Sequence, residues 1–419
     1  MGFLFCVKTY KNNYGILFIE RIMSMQIKIH RGINQIGGCV TEIKSKKTKI
    51  LIDVGSNLPT CESKVKVNIA NISKKCNAVF ITHYHLDHIG EYMQVKKEVP
   101  IYIGEQAKEI FTIYQKKMKE PNIAEVTQAH IDRLKTFKTF KQDVSLEIGD
   151  MKITPIRVNH SAFDSYMFLI EADGKRVLHT GDFRTHGPDG QDIHKILKDI
   201  GKVDILICEH TTLSRLDEIF ISELELQKEA INLIKDNKYV FIMCASTNID
   251  RIASFYHANK KAGDKLFICD IYQKEILDYV TKTSKKYKDY YDFSDVKSFD
   301  RKYYDEMVDK GFCMLVRSNY FSKKFIHSPT FKDNLFIYSQ WLGYLEGANA
   351  DESIVSFVPK EYYYLHTSGH ATSKGIKEVC NIVKPDVIIP IHGEDSHDFD
   401  KLDLPYRIEH LKTKRTYKI

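Results

Sequence analysis

Residues 81–90 read ITHYHLDHIG and place His83, His85, Asp87 and His88 within six residues, at the end of the apolar run AVFI. Four titratable side chains this close together on one loop would repel one another or remain idle unless something gathers them. Imidazole nitrogens and carboxylate oxygens are the ligands that zinc and manganese accept in proteins. The stretch therefore predicts a metal site at the end of a buried strand, and exposed loop histidines without such a role are the disfavoured alternative.

Three further ligand-type residues stand at the ends of other predicted strands. They are His160 in VNHSAF, Asp182 in HTGDFR and His392 in PIHGE, each next to a glycine or serine that lets the backbone turn sharply. Taken singly, each would more often be an ordinary loop or core residue. Their occurrence in this order after the first cluster predicts that the fold brings them all to one site.

This set of residues resembles the metallo-β-lactamase superfamily, whose signature is an HxHxDH loop followed by later His, Asp and His ligands. The resemblance implies that two divalent ions are bound, with zinc as the expected metal and manganese as the alternative. It assigns His83, His85 and His160 to one ion, Asp87, His88 and His392 to the other, and Asp182 to a bridging position between them. It also implies that Asp53 in KILIDVG orients the ligand loop from behind.

The later part of the chain is similar to the β-CASP branch of that superfamily, and most similar to ribonucleases of the RNase J type. Glu209 in LICEHTT, His370 in HTSGHA and His392, 22 residues later, match motifs of the branch. The resemblance implies that His370, Glu209 and Asp87 serve catalysis, with His370 acting on the phosphate and Glu209 holding its ring. Histidine at position 392 is typical of RNA-processing members, whereas the DNA nucleases of the branch carry valine there.

Four more residues are candidates for contact with phosphate. The segment CASTNIDR resembles a turn that opens a helix in the inserted domain of RNase J proteins, where Ser246 and Asn248 would receive phosphate. His366 and Ser368 precede His370 in a glycine-containing turn, and for them phosphate contact and simple turn chemistry are weighted equally. Trp341 could stack a base, although packing in the core is the favoured interpretation.

The pattern of strands and helices predicts an α/β protein, and the resemblance implies that its fold is a metallo-β-lactamase αββα sandwich with an inserted β-CASP α/β domain. Residues 23–210 are mostly short predicted strands and form the first part of the sandwich. Residues 211–360 alternate helices and strands, which predicts parallel βαβ units, and residues 361–419 return to the sandwich. Residues 1–22 are a leader without a convincing signal peptide. The chain ends soon after the last motif, so the separate C-terminal domain of full-length RNase J proteins is expected to be absent.

Composition indicates a folded protein. The chain of 419 residues is 43% hydrophobic and 28% charged, which excludes wholesale disorder, and no apolar run approaches the roughly 20 residues of a membrane helix. Its nine cysteines are scattered without a paired spacing, so reduced cysteines in the cytoplasm are expected. The formal net charge of +7 is compatible with a polyanionic partner without requiring one.

These observations predict a metal-dependent ribonuclease that acts as an endonuclease, as a 5′-to-3′ exonuclease, or as both. The expected partner is single-stranded RNA, with a 5′-monophosphate as one candidate end; no membrane is expected to take part, and a homo-oligomer is left open. The alternatives are a small-molecule hydrolase of the lactonase or thioesterase kind, a DNA nuclease on the same fold, and an idle RNA-binding protein. Glu209, His370 and the inserted domain disfavour the first alternative, and the intact ligand set disfavours the last.

Overall fold

The computed structural model of the chain describes residues 9–10, 18–19, 25–59, 65–117, 124–188, 192–216, 218, 220–284 and 288–419. The leader predicted over residues 1–22 lies outside the described residues, apart from the two short strands within it.

The described residues form strands in four sheets. In chain order the strands are β1 (Thr9–Tyr10), β2 (Phe18–Ile19), β3 (Gln26–Arg31), β4 (Val40–Lys44), β5 (Lys49–Ile52), β6 (Ala78–Phe80), β7 (Ile101–Gly104), β8 (Lys138–Phe140), β9 (Leu146–Ile148), β10 (Met151–Val158), β11 (Ser165–Ala172), β12 (Lys175–His179), β13 (Ile205–Glu209), β14 (Tyr239–Met243), β15 (Leu266–Cys269), β16 (Lys297–Ser298), β17 (Phe312–Val316), β18 (Asn334–Tyr338), β19 (Tyr363–Tyr364), β20 (Val387–Ile391), β21 (Arg407–Ile408) and β22 (Thr416–Lys418).

Helices cover the sheets and connect their strands. In chain order they are α1 (Ile69–Ser73), α2 (Leu86–Ile89), α3 (Glu105–Lys117), α4 (Ala124–Lys135), α5 (Asp192–Ile200), α6 (Glu223–Asp236), α7 (Ile249–Lys261), α8 (Ile271–Thr283), α9 (Tyr304–Lys310), α10 (Tyr320–Ile326), α11 (Glu352–Val355) and α12 (Ser373–Val383). Among the residues that the structure describes, no helix combines the length and the apolarity that crossing a bilayer requires.

Two seven-stranded sheets face each other and enclose the central core. Their strand orders are β22-β3-β4-β5-β6-β7-β8 and β21-β20-β13-β12-β11-β10-β9. Alternate residues along each strand point inward, so Ile43 and Phe80 of the first sheet meet Phe168 and Ile207 of the second in one buried cluster. Helices α3 and α4 cover the outer face of the first sheet, and α5 and α12 cover that of the second. The predicted αββα sandwich is confirmed.

The segment between β13 and β20 forms a second α/β unit. Its six strands, in the order β16-β15-β17-β14-β18-β19, are all parallel. The four central strands carry the apolar runs expected of strands buried on both faces. Helices α6, α7 and α8 pack on one face, and α9, α10 and α11 on the other. β13 and β20 pair directly in the sandwich, so the chain leaves that sheet and returns beside its point of exit. The last strand of the inserted sheet, β19, lies just beyond residue 360.

A buried charge network joins the two units. Arg184 follows β12 of the sandwich, and its guanidinium lies 2.8 Å from Glu223 at the start of α6 and 3.0 Å from Asp250 on α7. Arg251 pairs with the same Glu223 oxygen at 3.0 Å. Burial opposes ionisation of Glu223, but the two guanidinium groups hold its pKa well below the usual range. Removing any one of these charges would leave its partners buried and uncompensated.

Candidate metal centre

Nearly all the predicted site residues stand where strands end. Asp53 follows β5, His83 follows β6, His160 follows β10, Asp182 follows β12, Glu209 closes β13 and His392 follows β20. β5 is parallel to β6, and β12, β13 and β20 are parallel neighbours. β10 runs in the same direction as β12 because each pairs antiparallel with β11. The carboxyl ends of these strands therefore meet at one edge of the sandwich.

The ligand loop is held in place by backbone contacts from the segment that follows β5. The nitrogen of Val54 donates to the carbonyl of His88 at 2.8 Å, and a Cβ added at Gly55 would overlap the carbonyl oxygen of Asp87. Only glycine therefore allows the two loops to approach this closely. His85 precedes the short helix α2, which carries Asp87 and His88, so one turn of backbone presents three of the four clustered side chains.

Asp182 lies at the centre of the cluster. Its Oδ2 atom is 3.2 Å from His88 Nε2, 3.5 Å from His392 Nε2, and 3.8 Å from the Nε2 atoms of both His83 and His160. One carboxylate oxygen therefore faces four imidazole nitrogens. This central position agrees with the bridging role that the resemblance implies for Asp182.

The remaining ligand-type atoms divide into two groups on either side of Asp182. On one side, His85 Nδ1 lies 3.2 Å from His160 Nε2, and the ring centroid of His83 is 4.7 Å from that of His160. On the other side, Asp87 Oδ2 lies 3.1 Å from His392 Nε2 and 3.8 Å from His88 Nε2. The structure thus brings together all seven residues that the sequence assigns to metal.

Hydrogen bonds on the outer side of the rings fix which nitrogen faces inward. Four of the histidines direct Nδ1 at an acceptor, which places a proton there and leaves the lone pair on the inward-facing Nε2. The acceptors are Asp53 Oδ2 for His88 (2.8 Å), Thr82 Oγ1 for His83 (3.0 Å), the Gly369 carbonyl for His160 (2.6 Å) and Thr211 Oγ1 for His392 (2.8 Å). Asp53 also accepts hydrogen bonds from the nitrogen and hydroxyl of Thr82, both at 2.8 Å. Asp53 therefore orients the ligand loop from the side that faces away from the centre.

Three atoms at the centre lack a conventional partner. His83 Nε2, His88 Nε2 and Asp182 Oδ1 are buried and make no hydrogen bond within the described part of the chain. A buried polar atom without a partner is costly, and a cation would satisfy all three at once. Histidine, aspartate and cysteine atoms in this region form several groups whose members lie within 4.8 Å of one another. The donor set, nitrogen and carboxylate oxygen, fits divalent ions such as zinc or manganese.

The histidines of the centre differ in their electrostatics: burial opposes protonation of His88, but the carboxylates of Asp182, Asp53 and Asp87 raise its pKa well above the ordinary value. Burial lowers the pKa of His83 and of His160 well below the ordinary value, and lowers that of His85 to about 4. Burial opposes ionisation of Asp182, but the neighbouring His392 and His88 hold its pKa well below the usual range. Neutral imidazole and ionised carboxylate are the forms that bind metal.

His370 and Glu209 form a pair beside this centre. Glu209 is fully buried, and its Oε2 lies 3.2 Å from His370 Nδ1. The other oxygen accepts from the nitrogens of Phe183, at 3.1 Å, and Ala371, at 3.3 Å. Burial alone would lower the pKa of His370, but the charge and hydrogen bond of Glu209 raise it to about 9. With its side chain 22% exposed and its Nδ1 3.7 Å from Asp182, His370 lies at the mouth of the cluster.

The candidate phosphate residues of the inserted domain lie in the turn between β14 and α7. Tyr84 of the ligand loop donates its hydroxyl to the carbonyl of Thr247 at 2.9 Å, which holds this turn against the centre. Ser246 accepts a hydrogen bond from Gln273 Nε2 at 3.2 Å, and Asn248 caps α7 through its side-chain oxygen. Phosphate contact at both positions stays a prediction.

The second pair of phosphate candidates lies in the segment after β19. His366 Nδ1 is 3.1 Å from a guanidinium nitrogen of Arg251, and burial together with that charge lowers the pKa of His366 to about 3. Ser368 accepts a hydrogen bond from the nitrogen of His370 at 3.0 Å. His366 therefore contacts the charge network, and Ser368 shapes the turn that presents His370.

Three residues that contribute to the site were not predicted from the sequence. Thr82 and Thr211 hold ligands through their hydroxyls, and the only signal for them is their place next to His83 and close after Glu209. The sulfur of Cys39 lies within 4.8 Å of ligand atoms of His88 and His392, and it forms one of the candidate metal-binding groups. No sequence pattern marks Cys39, because a lone cysteine after a glycine pair is common in turns.

Two facing sheets between helices, with a histidine and carboxylate centre at one edge, define a metallo-hydrolase fold. A family model described as a β-lactamase superfamily domain matches residues 48–242. A second model, a Zn-dependent metallo-hydrolase RNA specificity domain, matches residues 358–400. These two matches, to a β-lactamase superfamily domain and to an RNA specificity domain of metallo-hydrolases, agree with the resemblance seen in the sequence.

Individual relatives carry a consistent name. Ribonuclease J of Helicobacter pylori (strain B128) is 24% identical over 404 residues, covering 89% of this chain and 56% of the relative. Ribonuclease J of Mycoplasma pneumoniae is 24% identical over 347 residues, covering 76% of this chain and 58% of the relative. The chain thus spans little more than half the length of these curated relatives. A crystal structure of an Enterococcus faecalis V583 protein of unknown function superimposes with a TM-score of 0.71 at 17% identity, covering 94% of this chain and 100% of that one, which shows a shared fold.

Proposed function

We propose that this protein is a metal-dependent ribonuclease that hydrolyses phosphodiester bonds of RNA at a binuclear centre. The observation that carries the proposal is that two groups of residues lie together at one edge of the sandwich. One is the set of seven ligand-type residues, in which the inward atoms of His83, His88 and Asp182 lack hydrogen-bond partners in the described part of the chain, and the other is the His370–Glu209 pair at its mouth. In this proposal His83, His85 and His160 hold one ion, Asp87, His88 and His392 hold the other, and Asp182 bridges them.

The chain's own residues would prepare the site for phosphodiester hydrolysis. When bound, two divalent ions, zinc by preference and manganese as the alternative, would supply activation of water and neutralisation of phosphate charge. Asp53, Thr82 and Thr211 hold the ligand rings so that no reorganisation is needed on substrate binding. Asp87 is also proposed to serve catalysis, because its carboxylate lies next to Asp182 in the ligand group that contains His88 and His392.

His370 is proposed to act on the substrate and not on metal. Its Nδ1 is committed to Glu209, so Nε2 is left to contact the scissile phosphate or to give a proton to the leaving oxygen. Glu209 would keep the ring in the orientation that this role needs, because its carboxylate is itself fixed by Thr211 and two backbone nitrogens. Ser246, Asn248, His366 and Ser368 are proposed to receive phosphates of the strand on the inserted-domain side.

RNA is the polymer that the observations favour. The relatives are named Ribonuclease J, and the segment around His370 and His392 matches an RNA specificity domain. Trp341 stacks under the guanidinium of Arg215 at 5.7 Å, and the adjacent Tyr344 is 42% exposed. The ring centroids of Trp341 and Tyr344 lie 5.5 Å apart. Such rings can stack unpaired bases.

The cytoplasm is the proposed location. The seven cysteines in the described residues are all free, which a reducing compartment explains. Single-stranded RNA with a 5′-monophosphate is the proposed substrate, and both cleavage within the strand and 5′-to-3′ trimming are compatible with the open edge. A homo-oligomer remains part of the hypothesis.

The test compares cleavage of three labelled substrates by the metal-loaded protein. The substrates are RNA with a 5′-monophosphate, the same RNA with a 5′-triphosphate, and matched DNA. Mononucleotide release would indicate an exonuclease and discrete fragments an endonuclease. Comparable cleavage of DNA would contradict the RNA preference, and no cleavage of any polymer would favour a small-molecule hydrolase.

His370→Ala is the decisive variant in that assay. It should retain wild-type metal content and lose about 10²–10⁴-fold in cleavage rate, as expected for a general acid. Ser246→Ala combined with Asn248→Ala should keep its metal and bind RNA more weakly, with affinity falling further as salt rises. Near wild-type cleavage by His370→Ala would remove it from the mechanism.

A further inference from the structure

A second cavity opens in the inserted domain, away from the metal centre. It has a volume of about 330 Å³ and is lined by Asp270, Ile271, Tyr272, Phe299, Arg317 and Phe321. These residues follow β15, β16 and β17, so the cavity lies at the carboxyl ends of three neighbouring parallel strands. Its volume falls at the lower end of the range for small-ligand sites.

The topology of the inserted sheet explains why a crevice forms there. β15 and β17 are adjacent, yet the helices that follow them pack on opposite faces: α8 on the face of α6 and α7, and α10 on the other. Where the connections of adjacent parallel strands diverge in this way, the strand ends are left open, and ligands of α/β sheets bind at such points. The crevice is therefore a consequence of strand order and not of local irregularity.

The wall of the crevice combines a guanidinium with aromatic rings. The Arg317 guanidinium lies 4.9 Å from the ring centre of Tyr272, and one of its nitrogens is 2.6 Å from Asp270, which neutralises the acid in the cavity. The rings of Phe299 and Phe321 are 5.0 Å apart. Flat cationic and aromatic groups side by side favour a flat heteroaromatic ligand, because both can stack on its π-face.

Exposed apolar side chains surround the opening. Ile271 is 68% exposed, Tyr320 83% and Phe321 38%. Contiguous apolar groups left in water usually mark a binding surface. Here they lie at the rim of a cavity that has room for a compact group, which favours a ligand ring over a flat protein interface.

Lysines line both the crevice and a neighbouring cavity, where Lys274 pairs with Asp278 and Lys302 with Asp300. Lys117, at the end of α3, lines one side of the crevice. Beyond β16 lies a smaller cavity of about 240 Å³ lined by Lys274, Lys297 and Lys302, together with Asp300. An aromatic crevice next to lysines complements a base that carries phosphate.

We propose that this crevice binds one unpaired nucleotide of a single-stranded RNA, with the base between Arg317 and Phe321 and the adjacent phosphates toward the lysines. The crevice and the phosphate candidates after β14 share one edge of the sheet, and Gln273 on α8 donates to Ser246 across the gap at 3.2 Å. That the bound strand is RNA rests on the proposed function. Binding of a nucleotide in the crevice, in contrast, does not require that the protein cleaves RNA.

The test measures binding of adenosine 5′-monophosphate and of a five-nucleotide single-stranded RNA to the full chain in excess chelator. Phe321→Ala should weaken binding of both probes about tenfold, the loss expected for one stacking ring, and Lys117→Ala should weaken the RNA alone. Leu224→Ala, which truncates a 55% exposed leucine on α6, is the matched control and should bind both probes as wild type. Folding of each variant is checked by circular dichroism, and Lys117→Ala keeps the test valid if Phe321→Ala does not fold.

The outcomes separate this site from the proposed function. Weakened nucleotide binding in the variants would support the crevice even if the protein cleaves no RNA. Wild-type binding by Phe321→Ala and Lys117→Ala would overturn it even if RNA cleavage is established. Self-association of the chain that Phe321→Ala abolishes, without nucleotide binding, would also overturn it and assign the surface to a protein interface.

Discussion

Thr211→Val tests whether the centre depends on the outward hydrogen bonds of its ligands. Thr211 is 4% exposed. Its hydroxyl donates a hydrogen bond to Glu209 Oε2 at 2.7 Å, and the hydroxyl oxygen of Thr211 accepts one from His392 Nδ1 at 2.8 Å. Valine has nearly the same shape and neither donates nor accepts. The substitution therefore removes the hydrogen bonds and preserves the packing.

Both partners of Thr211 would be left incomplete. The N–H of His392 would lose its acceptor inside the protein, and the buried Glu209 carboxylate would lose a donor, at a cost of about 1.5–3 kcal/mol for a bond to a charged group. Loss of such an outer partner typically weakens metal binding about 10–100-fold, which corresponds to about 1.4–2.8 kcal/mol. We expect metal affinity to fall by that factor and RNA cleavage to recover when metal is in excess.

The assay is competition for zinc against a chromophoric chelator, together with cleavage rates over a range of metal concentrations. Thr41→Val is the control, because Thr41 is equally buried and its hydroxyl lies 3.2 Å from Nε2 of His179, which is not a ligand. Thr41→Val should bind metal as wild type does. Unchanged affinity in Thr211→Val, or an equal loss in the control, would refute the coupling of Glu209 to His392 through Thr211.

Three further outcomes are expected. Elemental analysis should find close to two divalent ions per chain, and Asp182→Ala should lose more metal than His370→Ala does, because only Asp182 lies between both ligand groups; equal loss would contradict the bridge. Glu223→Gln should lower the free energy of unfolding by about 3–5 kcal/mol in a denaturant titration, since Arg184 and Arg251 would lose their buried counter-charge; an unchanged transition would show that the network is not needed. Metal at 100 times its Kd should stabilise the folded chain by about 2.7 kcal/mol for each ion bound, relative to chelated protein in the same titration, and coincident curves would argue against binding to the folded state.

The composition of the centre could be predicted from the sequence because its ligands are marked locally. Six consecutive positions, His83 to His88, carry four of the ligand-type residues, and His160, Asp182 and His392 each stand at a recognisable strand end beside a small residue. Strand and helix periods are local properties too, so the parallel inserted unit follows from alternation along the chain, whereas the αββα sandwich was implied by the resemblance that the motifs carry. Glu209 and His370 were found in the same way, through short motifs.

The partners that orient these residues were decided by the tertiary structure alone. Thr211 and His392 are 181 residues apart, and the Gly369 carbonyl lies 209 residues from the histidine it holds, His160. The first of these contacts exists because β13 and β20 pair in a register that sets Glu209 opposite Ile391. Strand register and loop packing depend on the free energy of the whole fold and not on any local period. Spacing along the chain therefore predicts which residues are ligands, but it does not predict which neighbours accept hydrogen bonds from the ligand histidines and so set the position of the ring proton.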